Sequence, residues 1–208
     1  MKTYSNPFEL FDEWYKHAAQ AGFRRTLLKK IYPPAVMHQP DSATLSTATR
    51  EGRPSARVVL FKGIKRQGFC FFTNYGSRKA AELAQNPFAA LTFHWGNPER
   101  QIRIEGSVEK LTFEESARYW VTRPRGSQIG AIASNQSSVI SDPSILKDRV
   151  TEVESLYKGK EIPCPEGWGG YRIEPEMVEF WEGKVFRLHD RLVYRKEGDH
   201  WKTERLAP

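Results

Sequence analysis

From residue 42 onward the chain alternates apolar and polar positions with the two-residue period of a half-buried strand. "SATLSTAT" (42–49) runs into the turn residues "REGRP", "SARVVLFKGI" (55–64) passes through "KRQG" into "FCFFTN" (69–74), and "FAALTFHW" (88–95) is joined by "GNPE" to "RQIRIEGSVEKL" (100–111). These are hairpin signals: β-branched and aromatic runs separated by short Gly/Pro/Asn segments. The tail repeats the pattern in "GGYRIEP", "MVEFWEG" and the hairpin "FRLHDRLVYRKEGDHWKTERL". Helical signals appear between and before the strands. Residues 6–20 predict an amphipathic helix capped by Asn6, with Pro7 at its first position and Phe8, Phe11, Trp14 and Tyr15 on one face. Two further helices are expected at about 113–122 and 143–158. Many antiparallel strands with short turns and few helices predict a mainly β fold with flanking helices, a β-barrel or a partly split one. Residues 22–40 are basic, contain two adjacent prolines, and predict no element.

Composition adds little to that fold and narrows the function. The 208 residues suffice for a single domain, 1–208, with a sizeable core; residues 1–40 form its helix and basic connection and 41–208 the barrel, helices and C-terminal hairpin. No apolar run is long enough for a membrane span, and the first residues carry acids and aromatics rather than a signal-peptide core. Cys70 and Cys164 have neither metal-ligand nor disulfide spacing, so no metal is expected and a reducing, cytoplasmic setting is. The net charge of +7, from 32 basic and 25 acidic residues, attracts anions. It is distributed in short clusters with Gly, Ser, Gln and aromatics, which suits pockets for small anions better than a nucleic-acid stripe.

Three clusters carry the candidate chemistry. In "NYGSRKAAELAQNP" (74–87), Arg78 and Lys79 fall in the first turn of a helix, the end where the macrodipole is already positive. An anion held by backbone N–H groups, the Ser77 hydroxyl and both cations accounts for that placement; two solvated surface side chains account for it equally. In "YWVTRPRGSQIGA", Tyr119 and Arg123 are four apart on one helical face, Pro124 breaks the helix, and Ser127 follows Gly126. A phenol, a guanidinium and a hydroxyl suit a phosphate monoester, while a plain helix C-terminus needs only the arginine charges. In "FRLHDRLVY", strand alternation puts Arg187, His189 and Arg191 on one face and Phe186, Leu188 and Leu192 on the other, so two guanidiniums and an imidazole line up towards either a planar anionic ligand or solvent. Arg57 and Lys62 have opposite parity in their strand and face different sides if it is regular. Gln101 opposes Ile102 and Ile104, and "NQSS" (135–138) adds amide and hydroxyl groups. Together these clusters point to two phosphorylated aromatic small molecules side by side, without naming them.

The stretches "ARVVLFKG", "FFTNYGSRKA", "ERQIRIEG", "YWVTRPRGSQIGA", "NQSS", "EFWEG" and "FRLHDRLVY…W…RLAP" resemble, in order from about residue 40 to Pro208, the pyridoxine/pyridoxamine 5′-phosphate oxidase family. The resemblance implies an FMN-binding split β-barrel that forms a homodimer with FMN at the subunit interface. It implies oxidation of pyridoxamine or pyridoxine 5′-phosphate to pyridoxal 5′-phosphate, with oxygen as final acceptor and hydrogen peroxide as by-product. By matching motifs, FMN contacts fall on Arg57, Val58, Val59, Leu60, Phe61, Phe72, Thr73, Arg78, Lys79, Gln101, Gln136, Ser137, Trp181 and Arg191. The substrate phosphate falls on Lys62, Tyr119, Arg123 and Ser127. Arg187 and His189 are the catalytic candidates, set over the substrate ring. Arg125 receives no ligand and is expected to be structural.

The chain departs from the family pattern at Phe72, where Tyr is frequent, and at Ile132, where Trp is common. The family's basic N-terminal arm is not expected, since five residues precede Asn6, and the segment 22–40 reads as an extended surface loop in preference to a substitute lid. Three other functions share part of this pattern. A split-barrel reductase acting on another substrate retains "GSRK" but has no use for Tyr119, Arg123, Ser127, Arg187 and His189 together. The others are a non-catalytic flavin or pyridoxal phosphate binder and a basic nucleic-acid-binding domain.

Overall fold

The computed structural model describes residues 1–27, 39–96 and 99–208, with the backbone alone for 21–27. Most of the basic segment 22–40, and with it the loop-or-lid expectation, lies outside the described residues, as does the tip of the "GNPE" turn. The first element, α1 (Pro7–Leu27), begins where the capping pattern predicts and runs past the expected end at residue 20. Asn6 Oδ1 accepts hydrogen bonds from the backbone N–H groups of Phe8 (3.1 Å) and Glu9 (3.3 Å), which satisfies two of the helix's free donors.

The strands follow as β1 (Ser42–Ala48), β2 (Pro54–Lys65), β3 (Gly68–Asn74), β4 (Phe88–Gly96), β5 (Glu99–Lys110), β6 (Trp168–Glu182), β7 (Asp190–Glu197) and β8 (His200–Arg205). Their order is β3-β2-β1-β4-β5-β6-β7-β8, and β3 also pairs with β6. That extra pairing closes β1 to β6 into a six-stranded antiparallel barrel and leaves β7 and β8 as an extension from the C-terminal half of β6. The helices α2 (Arg78–Gln85), α3 (Phe113–Trp120), α4 (Arg125–Ala133) and α5 (Ser144–Leu156) flank it.

The sequence pattern suggests two tail strands, "GGYRIEP" and "MVEFWEG"; the structure has one, β6, which continues through Pro175. Pairing with β5 shifts by one residue there, from Glu105 opposite Met177 to Gly106 opposite Pro175. A bulge is a place where a strand tolerates proline, because the ladder is already interrupted. Gly106 is required opposite it: a Cβ there would lie 1.9 Å from the Glu174 carbonyl oxygen.

Alternation carries the inward residues of the barrel into one core. Leu45, Phe69, Phe71, Leu91, Phe93, Ile102, Ile104, Ile173, Val178 and Phe180 are almost wholly buried. The Leu10/Phe11/Trp14/Ala18 face of α1 seals it, with the expected Phe8 and Tyr15 partly buried at its margin. Phe11 is the centre of this contact, with its ring 4.9–5.3 Å from those of Phe61, Phe69 and Phe93 in edge-to-face geometry. A second, smaller core of Trp120, Ile129, Ile162 and Trp168 lies under α3, α4 and α5. We predict that Phe11→Ala lowers the unfolding free energy by about 3–5 kcal/mol, the cost of emptying a packed aromatic site, measured by urea denaturation.

Candidate functional site

The closure of β3 on β6 opens a cavity of about 570 Å³ beside the barrel, within the usual range for a small-molecule site. Its walls come from five places, one of them Trp168 at the start of β6. Strand β2 presents Ser55 to Leu60 and Lys62; the end of β3 presents Phe72 and Thr73; the start of α2 presents Arg78 and Lys79; and the segments around α3 and α4 present Tyr119, Arg123, Gln136 and Ser137. Arg57 and Lys62, expected on different sides, both line it. The strand is irregular between Phe61 and Ile64, where its pairing with β3 changes register, so simple alternation does not extend to Lys62.

Cations at one end of the cavity are held by a buried carboxylate. Glu82, on the first turns of α2, accepts hydrogen bonds from Ser55 Oγ (2.6 Å), Arg78 Nε (2.8 Å) and Arg57 Nη2 (3.2 Å), and a short one from Thr47. Burial by itself raises a carboxyl pKa; these hydrogen bonds and the Arg57 charge outweigh it and bring Glu82 down to about 2. Lys79 Nζ donates to Gln136 Oε1 (2.8 Å) and Thr73 Oγ1 (3.1 Å), and burial followed by the nearby Arg57 lowers its pKa. Ser77, the N-cap of α2, is wholly buried, and its Oγ has no partner among the described residues. A buried hydroxyl at a helix N-terminus, below an arginine and a lysine, fits a bound anion.

The other end is aromatic and carries a second cation. Phe72 stacks on Tyr119 with ring centroids 3.9 Å apart and on Trp168 at 5.4 Å. Arg123 lies in the break between α3 and α4. Its guanidinium is over Trp168 (4.7 Å) and Trp120 (5.1 Å), and its buried Nη1 has no hydrogen-bond partner among the described residues. Burial lowers its pKa. An unsatisfied buried guanidinium N–H is costly, and an anionic oxygen is the group that satisfies it. Lys62, nearby on β2, pairs with Asp41 at 2.8 Å.

Arg125 has a different task. It opens α4, and its guanidinium donates to the carbonyl oxygens of Lys160 (2.9 Å) and Tyr157 (2.6 Å), just past α5, so it ties the end of one helix to the start of another. Ser127 is exposed in the first turn of α4 and does not line the cavity. Phe61 points its ring into the barrel core, which leaves only its backbone for any ligand.

Five of the expected residues also lie away from the cavity: Gln101, Trp181, Arg187, His189 and Arg191. They gather instead around β5, β6 and β7. Gln101 is opposite Trp181, and Trp181 is opposite Arg191. His189 packs its ring 4.5 Å from that of Trp181 and accepts a hydrogen bond at Nδ1 from the Lys184 backbone (3.3 Å). Arg191 donates through Nε and Nη2 to the buried Glu179 (2.8 and 3.1 Å), which also receives Arg103. The expectation of one strand face for Arg187, His189 and Arg191 does not hold. Residues Val185–Arg187 form a 3-10 turn, Phe186 and Arg187 have left-handed φ values of 57° and 62°, and β7 begins only at Asp190. Arg187 is therefore exposed on a loop whose backbone conformation non-glycine residues seldom adopt.

Several residues of the site escaped the sequence reading. Glu82 had a signal, its i,i+4 spacing from Arg78 on a helix. Trp168, Trp120, Asp41 and Glu179 had none, because each reaches its partner across the fold.

Residues 34–157 match the family described as pyridoxamine 5′-phosphate oxidase, and residues 168–208 match the pyridoxine 5′-phosphate oxidase C-terminal dimerisation region. A pyridoxine/pyridoxamine 5′-phosphate oxidase of Cyanothece sp. is 46% identical over 98% of this chain and 89% of its own. One of Psychromonas ingrahamii is 47% identical over 100% and 89%. Among solved structures, PhzG from Burkholderia lata in complex with tetrahydrophenazine-1-carboxylic acid has a TM-score of 0.86 at 32% identity, covering 100% of this chain and 95% of its own. A pyridoxamine 5′-phosphate oxidase-related, FMN binding protein from Nostoc punctiforme aligns over both whole chains with a TM-score of 0.71 at 17% identity, which is a likeness of fold.

The two arginines flanking Pro124 should separate cleanly on mutation. Arg125→Ala is expected to lower stability by about 1 kcal/mol, for two partly exposed hydrogen bonds, and to leave anion binding in the cavity unchanged. Thermal unfolding alongside phosphate titration checks both halves.

Proposed function

The chain belongs to the pyridoxine/pyridoxamine 5′-phosphate oxidase family, and on that premise we propose that it oxidises pyridoxamine or pyridoxine 5′-phosphate to pyridoxal 5′-phosphate, with FMN as cofactor and oxygen as the final acceptor, releasing hydrogen peroxide. The observation that carries this reading is the two-ended cavity: Arg57, Arg78 and Lys79 at one end, with the buried Ser77 hydroxyl at the N-cap of the same helix as Arg78 and Lys79, and at the other a buried Arg123 whose Nη1 has no partner among the described residues, beside a stacked aromatic wall. One cofactor phosphate and one substrate phosphate match these two ends.

In this reading Arg57, Arg78 and Lys79 hold the FMN phosphate, with Thr73, Gln136 and Ser137 beside it. The segment Val58 to Phe61 offers its strand backbone, and Phe72 lies against the ring system. When bound, FMN supplies the two-electron acceptor that the reaction needs. Lys62, Tyr119 and Arg123 hold the substrate phosphate, and Ser127 joins them from the rim. Arg123 is fixed in direction by the faces of Trp120 and Trp168, so its donors are aimed before the substrate arrives, which lowers the ordering cost of binding.

Gln101, Trp181, Arg187, His189 and Arg191 enter through a second copy of the chain. The match of residues 168–208 to a dimerisation region supports this, because that region holds Trp181, Arg187, His189 and Arg191. The exposed apolar side chains Val185, Phe186 and Leu188 around Arg187 also support it, since they are a surface suited to burial against a protein partner. In a homodimer this loop closes over the partner's cavity. Arg187 and His189 then position the substrate ring, with His189 oriented through its Nδ1 by the Lys184 N–H.

Pyridoxamine 5′-phosphate supplied in air is expected to give the aldehyde and hydrogen peroxide, and the chromophore released from the protein is expected to run as FMN. Absence of both products from flavin-loaded protein sinks the proposal. Arg123→Ala is expected to weaken the phosphorylated substrate roughly ten- to a hundredfold, as a charge-assisted contact of about 1.5–3 kcal/mol implies, while the unphosphorylated vitamer changes little. His189→Asn is expected to slow anaerobic single-turnover reduction of the flavin without releasing it. Unchanged rates in both His189→Asn and Arg187→Ala remove this loop from the reaction.

A further inference from the structure

Glu82 does not line the cavity, yet two of the cavity's cations reach it. Arg57 comes from β2 and Arg78 from the first turn of α2, and both guanidiniums end on the same carboxylate, Arg57 on Oε2 and Arg78 on Oε1. Ser55 and Thr47 fill the rest of Oε2's acceptor capacity, so the carboxylate is satisfied on all sides by donors and is only 4% exposed. Arg57 is held further by Thr47 Oγ1 (2.5 Å) and the Ser55 hydroxyl. We propose that Glu82 is a positioning residue that makes this end of the cavity selective for a phosphate dianion, by fixing the directions of Arg57 and Arg78 and trimming the charge that they present with Lys79.

The charges argue for this. Arg57, Arg78 and Lys79 are three cations around one end of a cavity, and among the described residues the only carboxylate that bonds to any of them is Glu82. The group as a whole carries +2. A phosphate monoester carries about −2 at neutral pH, so the bound state is neutral. Without the carboxylate, three like charges repel one another at close quarters, and both guanidiniums lose the anchor that fixes their long, flexible side chains. The direct repulsion between Glu82 and a bound phosphate is the opposing effect. It is the smaller one, because the carboxylate's charge is already engaged by two arginines and two hydroxyls, and Arg57, Arg78 and Ser55 line the cavity while Glu82 does not.

This inference rests on the FMN reading above, and the test separates the two. Flavin is removed from the protein, and FMN and riboflavin are titrated back by quenching of flavin fluorescence; the two ligands share a ring system and differ by the phosphate. If the unaltered protein binds both equally, the cofactor reading is wrong. Given a preference for FMN, Glu82→Gln keeps the shape and removes the charge. It is expected to weaken FMN by roughly tenfold or more, the value of one charge-assisted hydrogen bond, while riboflavin moves less than about twofold. Glu82→Asp keeps the charge but is too short to reach both arginines, and it should fall between. Equal weakening of both flavins would show a merely structural role, and unchanged or tighter FMN binding would show that the carboxylate only repels the phosphate; either overturns the proposal. If circular dichroism finds Glu82→Gln unfolded, the ratio of FMN to riboflavin affinity in Glu82→Asp decides by the same criteria.

Discussion

The cavity exists because β3 pairs with two neighbours. Its pairing with β2 is local, across a tight turn, while its pairing with β6 joins residues about a hundred positions apart and sets Phe72 opposite Gly170 and Asn74 opposite Trp168. That second ladder closes the barrel and removes two sheet edges at once. It also brings Trp168 beside Phe72 and Tyr119, so the aromatic wall is a by-product of closure. The approach is tight: a Cβ at position 170 would lie 2.5 Å from a Leu111 methyl and 2.9 Å from the Phe72 ring. Glycine at that point is what lets the strand, the ring and the β5 end meet.

Around the cavity and the β5–β7 cluster, basic side chains are tethered to acids, two of them buried. Glu82 holds Arg57 and Arg78, Glu179 holds Arg103 and Arg191, and Asp41 holds Lys62. A buried carboxylate needs such partners, since desolvation otherwise drives it to the neutral acid. The arrangement converts long, mobile cations into fixed donors. In a chain with a net charge of +7 it gives the cavity cations fixed directions. Arg123 is handled differently, oriented by two indole faces and with a buried N–H that has no partner among the described residues.

Much of this was legible in the linear chain. Period-two alternation located β1 to β5 to within a residue or two and the closing hairpin apart from its start, and Asn6-Pro7 located the start of α1. Two errors have a common source. The loop before β7 was read as strand, and β6 was read as two strands, because alternation cannot register a left-handed residue such as Phe186 or a bulge such as that at Pro175. Both are single-residue changes in backbone geometry that leave the hydrophobic pattern intact.

What the sequence by itself determined are the local features: which segments are strands, where the first helix is capped, and the short motifs that put Arg78 and Lys79 at a helix start and Tyr119 and Arg123 around a break. These depend on spacing of a few residues, which the chain displays directly. Only the tertiary structure decided which motifs share a cavity. It joined Arg57 to Arg78 through Glu82, set Arg123 over Trp168, gave Arg125 to the end of α5, and kept Arg187 and His189 apart from the rest. Those outcomes follow from barrel closure and from the need of each buried charge for a partner, and both link residues far apart in the chain that no local pattern connects.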